Sequence, residues 1–168
     1  MIKYDIDALE YISKLSDGGL RDAITLMDKC LSYSKSLTLS NVVEALGVED
    51  YNTFKDLIDC IIAGKKDEVI SIVEKVHYSG KDLKQFNRDL LEFLLDINKY
   101  VICNSFDYLQ IPATEDNKEW MDSLEDYDKG ICYELLKSIM KLNIDIKYSQ
   151  TPKYDIEATL ILFMQSEV

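Results

Sequence analysis

Apolar residues recur along most of this chain at the three-and-four spacing of an α-helix, with polar residues on the opposite side. The first such segment runs from Asp7 to Leu15, with Asp5 or Asp7 as its N-cap. Leu20, Ala23, Ile24, Met27 and Leu31 form the stripe of a second helix reaching about Ser32. Ser32 to Ser36 is a polar connector, and a third helix opens at Thr38 and ends at Gly47, a residue suited to a helix C-terminus. Gly47 to Asp50 reads as a domain boundary. Beyond it, Phe54, Leu57, Ile58, Ile61 and Ile62 make one stripe, and Val69, Ile72, Val73 and Val76 make another. Gly64 separates them, which predicts an antiparallel helical hairpin.

A long helix follows from about Asp82 to Cys103. Leu83, Phe86, Leu90, Phe93, Leu94, Ile97 and Val101 share one face, with Leu91 and Leu95 beside it. A stripe this broad predicts a central bundle helix, buried on more than one side. Asn104 to Asp128 breaks the period and holds Pro112 and the single Trp120; a short helix is expected around Lys118 to Leu124. Ile131, Leu135, Ile139 and Leu142 mark another long helix from about Tyr127 to Lys147. The last helix opens at Thr151 as N-cap, with Pro152 at the first helical position, where its missing N–H costs nothing. Ile156, Leu160, Phe163 and Met164 give it an apolar face. The expectation is an all-α protein: a small three-helix bundle followed by a larger helical bundle.

Composition fits that picture. The chain has 168 residues, 47% of them apolar, and only 6 Gly and 2 Pro interrupt it. Cys30, Cys60, Cys103 and Cys132 are far apart and show no C-x-x-C spacing, so neither a zinc site nor a redox pair is indicated. They read as small core residues in a reducing compartment. No leader pattern and no membrane-spanning apolar run is present, so the cytoplasm is the expected location.

Charge changes the picture more. With 31 acidic and 19 basic residues the net charge is −12. Nucleic acid is bound chiefly by basic side chains, so no direct nucleic-acid contact is expected. Lys65-Lys66 and Lys81 with Lys84 are flanked by acids and read as solvated helix ends. The sole histidine, His77, reads as a favourable cation at a helix C-terminus. Asp56 with Asp59, and Glu115 with Asp116, read as solvated faces. The eleven tyrosines read as core and interface residues.

One local run stands apart: Asp17-Gly18-Gly19-Leu20-Arg21-Asp22-Ala23. It places Arg21 in the first turn of a helix, near the positive end of its dipole, where a carboxylate would be favoured. Either Arg21 pairs locally with Asp17 or Asp28, or it meets an anion from elsewhere, such as a phosphate, which its planar fork binds through two parallel hydrogen bonds. Spacing alone leaves both open.

Asp7 to Ser16, the run Asp17 to Ala23 and the following Ile24 to Cys30 together resemble the lid domain of AAA+ clamp-loader subunits, of the gamma/tau type of bacterial DNA polymerase III. Thr38 to Gly47 resembles the short third helix of that lid. In the family, the box formed here by Gly18, Gly19, Leu20, Arg21, Asp22 and Ala23 is the sensor-2 motif, and its arginine reaches the terminal phosphate of ATP. The resemblance therefore implies that Arg21 is a nucleotide-contacting residue, supported by Gly18, Gly19 and Asp22. It implies a lid over residues 1–48 and an oligomerising collar over 49–168, with Pro152, Lys153 and Glu157 resembling a terminal collar motif in which Thr151 and Lys153 replace Asn and Arg.

No G-x-x-x-x-G-K-[ST] run occurs, so the expectation is a fragment or reduced subunit with no ATPase activity, catalytic residue or metal site of its own. ATP and magnesium would belong to the full subunit. Other clamp-loader subunits, or further copies of this chain, would be the collar's partners. The competing expectation is an acidic all-helical adaptor unrelated to ATP.

Overall fold

The computed structural model describes residues 2–46 and 51–167. The fold is all-α: among the described residues there are nine α-helices, one 3-10 turn and a pair of two-residue strands. The expected boundary at Gly47 to Asp50, and the helix end at Gly47, lie outside the described residues. Two compact units emerge: Met1–Asp50 with Gln110–Glu119, and Tyr51–Leu109 with Trp120–Val168.

The first unit contains α1 (Ile6–Leu15), α2 (Leu20–Tyr33) and α3 (Leu39–Leu46). Ala8, Tyr11, Ile12, Cys30, Leu37 and Val42 are buried together at its centre. Thr38 caps α3, accepting from the Asn41 backbone N–H at 3.2 Å. The connector before it holds more order than its polarity predicts. There β2 (Ser36–Leu37) pairs in parallel with β1 (Lys3–Tyr4). The Asn41 amide donates to Ser34 Oγ at 3.0 Å and Ser36 Oγ at 2.9 Å, which fixes this bend.

The α2 stripe is rotated from its expected position. Cys30 is buried, and Ala23, Leu26, Met27 and Leu31 pack against the core. Leu20 and Ile24, expected inside, are 76% and 51% exposed. Apolar residues cover so much of α2 that period alone does not select the buried arc; the neighbouring helices do. Between α1 and α2 the chain turns through Asp17 at φ 47° and Gly18 at φ 78°. A side chain at residue 18 would meet no other atom within 4 Å, so Gly18 is needed for its backbone conformation rather than for space.

The second unit is built from α4 (Tyr51–Ile62), α5 (Lys66–Tyr78), α6 (Leu83–Cys103), α8 (Asp126–Asp145) and α9 (Pro152–Glu167). Helix α7 (Glu115–Ser123) starts three residues before the expected short helix. The expected stripes are the core: Phe54, Leu57, Ile58 and Ile61 of α4, Val69, Val73 and Val76 of α5, and the four expected residues of α8 and of α9 are buried. Ring stacking joins α4 to α6: Phe54 lies 5.3 Å from Phe86 and 5.6 Å from Phe93, centroid to centroid. Asp82 caps α6 by accepting from Lys84 N at 2.9 Å, and Asn104 at φ 48° ends it in a left-handed residue. Glu125 and Asp128 form a capping box at the start of α8. At its far end a 3-10 turn, Ile146–Tyr148, replaces the last expected helical residues.

Several expectations are corrected. Leu95 and Val101 of α6 are exposed, so that helix is buried over a narrower arc. Cys30 and Cys132 are core thiols, and burial pushes Cys132 up to about 12. Cys103 is exposed at the end of α6, where the stripe has already left the core. Of the eleven tyrosines, read as core and interface residues, eight are exposed and so lie outside the core, at the ends and outer faces of helices where the hydroxyl meets water.

Among the described residues, buried polar atoms without a hydrogen-bond partner include those of two core residues, Asn87 and Tyr11. Neither side-chain atom of Asn87, fully buried on α6, is hydrogen-bonded, nor is the hydroxyl of Tyr11. Leaving such groups unpaired costs about 1–3 kcal/mol each. Asn87→Leu is therefore expected to raise the urea midpoint, by a stability of about 1–3 kcal/mol, and Tyr11→Phe to leave it unchanged or higher; a lowered midpoint for both would refute this account. Gly18→Ala should lower stability by about 1–2 kcal/mol through its positive φ, with Gly18→Asn milder. Equal midpoints for wild type and Gly18→Ala would remove the conformational role.

Candidate functional site

The turn that opens α2 is built by backbone hydrogen bonds. Ser16 N donates to Ile12 O at 3.0 Å and Gly19 N to Ser16 O at 2.8 Å. Ser16 Oγ donates to Ser13 O at 2.8 Å. Gly19 is the N-cap residue, with extended backbone and no side chain to cap the helix. A Cβ on Gly19 would stand 3.0 Å from Asp22 Oδ2 and 3.2 Å from Ser16 O. Gly19 thus allows the Asp22 carboxylate to lie close over the helix start. A carboxylate there favours the dipole and offsets the cost of the neighbouring cation.

Arg21 is exposed in the same turn. Its carbonyl accepts from Thr25 Oγ1 at 2.9 Å. Its guanidinium makes no ion pair or side-chain hydrogen bond among the described residues, so the local pair with Asp17 or Asp28 does not form. Leu20 and Ile24 expose apolar surface on either side of it in sequence. Gly18, Gly19, Arg21 and Asp22 are therefore brought together in one turn. What they offer chemically is a free bidentate donor for an anion.

Other candidates take structural roles. His77 is exposed in the last turn of α5, as expected. Asp59 is not simply a solvated acid. The Trp120 indole N–H reaches its two oxygens at 3.1 and 3.2 Å, and partial burial pushes its carboxyl above the usual range against that hydrogen bond. Glu115 and Asp116 are exposed in the first turn of α7. Among the described residues no group of three or more His, Cys, Asp or Glu could hold a metal ion, and no helix is long and apolar enough to cross a membrane.

Lys153 was legible only in part. Its spacing to Glu157 is visible in sequence, and the pair stands at 3.9 Å. Its nearer partner, Glu74 on α5 at 2.5 Å, is not visible, since nothing local links residues 74 and 153. Glu74 holds the Lys153 ammonium above its ordinary value, and Lys153 holds Glu74 below. The pair fastens α5 to the start of α9.

Comparison with known proteins adds a family. Residues 37–167 match the family described as DNA polymerase III subunits gamma and tau domain III. Arg21 and its turn precede the matched segment. The chain is similar to the DNA polymerase III subunit gamma/tau of Mycoplasma genitalium, 27% identical over 82% of this chain and 23% of that protein. It is similar to subunit tau of Bacillus subtilis, 20% identical over 95% of this chain and 28% of the relative. It is also similar to subunit gamma of Buchnera aphidicola, 22% identical over 94% of this chain and 44% of the relative. The chain thus spans less than half the length of these curated relatives. Because the matched segment covers well over half of it, the chain belongs to the family of DNA polymerase III subunits gamma and tau, domain III.

Proposed function

We propose that this chain is the lid and collar part of a DNA polymerase III clamp-loader subunit. In this reading residues 1–48 sense bound ATP through Arg21, and residues 49–168 hold neighbouring loader subunits for sliding-clamp loading. Family membership supports the clamp-loader setting. The observation that carries the sensor role is the Arg21 guanidinium: exposed in the first turn of α2, without an ion pair among the described residues, and next in sequence to the exposed Leu20. A cation placed against the helix dipole without a local partner is suited to a partner from outside.

The residues fit a phosphate. Arg21 supplies two parallel N–H donors, Gly18 has open space beside it, and Asp22 lies against Gly19 at the helix start without pairing to Arg21. Among the described residues no group of His, Cys, Asp or Glu fits a magnesium ion. Bound ATP supplies a phosphoanhydride for cleavage. This chain's own part is recognition: Arg21 orients and partly neutralises a terminal phosphate oxygen pair, while the cradle and metal needed for phosphoryl transfer lie in other residues of the subunit. By itself the chain is expected not to hydrolyse ATP.

In the full subunit, Arg21→Ala should cost a charge-assisted contact of roughly 1.5–3 kcal/mol. That is about one to two orders of magnitude in ATP-driven clamp loading at limiting ATP. Arg21→Lys should recover part of the loss, since an ammonium keeps the charge but not the fork. The stability of the isolated chain should not change by more than about 1 kcal/mol. Equal loading rates for wild type and Arg21→Ala would make Arg21 an ordinary surface residue.

A further inference from the structure

Helix α2 begins without a side-chain cap. Gly19 is its N-cap residue and makes no side-chain hydrogen bond to the first turn. The serine, threonine or acid that ordinarily fixes such a turn is replaced by a residue with no side chain. The turn is held instead by bonds further along. Ala23 N donates to Gly19 O at 2.9 Å, and Thr25 Oγ1 donates to Arg21 O at 2.9 Å. Thr25 lies four residues after Arg21, so the helical ladder also brings the Thr25 backbone N–H to that carbonyl.

A hydroxyl bonded to the carbonyl four residues earlier bends the helix at that point, and it slightly destabilises the helix. Stability therefore does not explain the bond. Nor does packing: Thr25 is exposed, and its hydroxyl makes no other hydrogen bond among the described residues. The consequence is directional. Leu20 and Arg21 stand before the bend, and the part of α2 that Cys30 anchors in the core stands after it. The tilt of the first turn sets where the Arg21 backbone lies. A guanidinium that meets two phosphate oxygens through parallel bonds tolerates little error in its origin.

We propose that Thr25 is a positioning residue for Arg21: its hydroxyl sets the tilt of the first turn of α2 and so aims the guanidinium at the terminal phosphate of ATP. This rests on reading Arg21 as the ATP-sensing residue, and adds the residue that aims it.

The same helix supplies a matched control. Ser32 Oγ donates to Asp28 O at 2.8 Å, the same kind of bond near the other end of α2. The test is ATP-driven clamp loading by the full subunit in its reassembled complex, over a range of ATP concentrations. Thr25→Val keeps the branched shape and removes the hydroxyl, Thr25→Ser keeps the hydroxyl, and Ser32→Ala removes the matched bond. Helicity and melting of each full subunit establish that the variants fold. Thr25→Val should raise the ATP concentration for half-maximal loading about three- to tenfold and leave the rate at saturating ATP within about twofold, since a misplacement of about 1 Å costs up to roughly a hundredfold. Thr25→Ser should restore the wild-type curve, and Ser32→Ala should leave it unchanged. In the Arg21→Ala background, Thr25→Val should cost nothing further, because no guanidinium is left to aim.

A wild-type curve for Thr25→Val overturns the proposal, as does a loss confined to the rate at saturating ATP. So does a loss that Thr25→Ser fails to restore, that Ser32→Ala reproduces, or that adds in full to the loss from Arg21→Ala. If Thr25→Val is silent while Arg21→Ala loses loading, sensing stands and the aiming role falls. If Arg21→Ala is itself silent, both fall.

Discussion

The packing of α6 against α8 is the contact on which the second unit depends. Lys84 at the start of α6 donates to the carbonyl of Lys147, just past the end of α8, at 3.0 Å. The two helices therefore run in opposite directions over their length. Leu90, Leu94 and Ile97 on one, with Ile131, Leu135 and Ile139 on the other, are buried to within a few per cent. Each such side chain contributes about 1.5–3 kcal/mol when fully buried. Helices α4 and α9 attach to this pair, and α5 packs in turn against α4 and α9. Phe86 and Phe93 of α6 receive Phe54 of α4, Trp120 stacks 5.6 Å from Phe93, and α9 lies against α8. The cap at Asp82 and the left-handed Asn104 set the ends of α6, and so the span over which these partners can be stacked.

Much of that architecture is written in the sequence, for a simple physical reason. Where apolar residues fill one arc and polar residues the other, only one rotation of the helix buries the right atoms. The stripe of α4 is of this kind. Legibility fails where the arc is too wide or the element too short. On α2, Leu20, Ile24, Met27 and Leu31 lie on one side and Ala23, Leu26 and Cys30 reach further round, so the neighbours choose. The strands β1 and β2 are two residues each, too short to show alternation. The bend before Glu115 has no period at all, and its order comes from bonds such as Asn117 Nδ2 to Pro112 O at 2.8 Å.

The site was legible as a motif but not as a geometry. Two glycines before Arg21 suggest a tight turn, and the structure supplies the positive φ at Gly18 and the close Asp22 carboxylate at Gly19. Spacing left open whether Arg21 pairs with Asp28. A pair seven positions apart on a helix is two turns away, about 10.5 Å along the axis, and only the side chains' actual directions could decide it. That Leu20 and Ile24 stay outside could not be read from the sequence either, because the same residues complete a credible core stripe.

The two units treat exposed apolar surface in different chemical company. In the first, it flanks a cation without an ion pair among the described residues, in the first turn of a helix, where the dipole disfavours positive charge by about 0.3–1 kcal/mol. Asp22, three positions after the N-cap Gly19, offsets part of that cost. In the second, the exposed Tyr133, Met140 and Ile144 of α8 lie among charges of both signs, with Lys137 paired to Glu134 at 2.6 Å, so the apolar surface there is set in a locally neutralised surround.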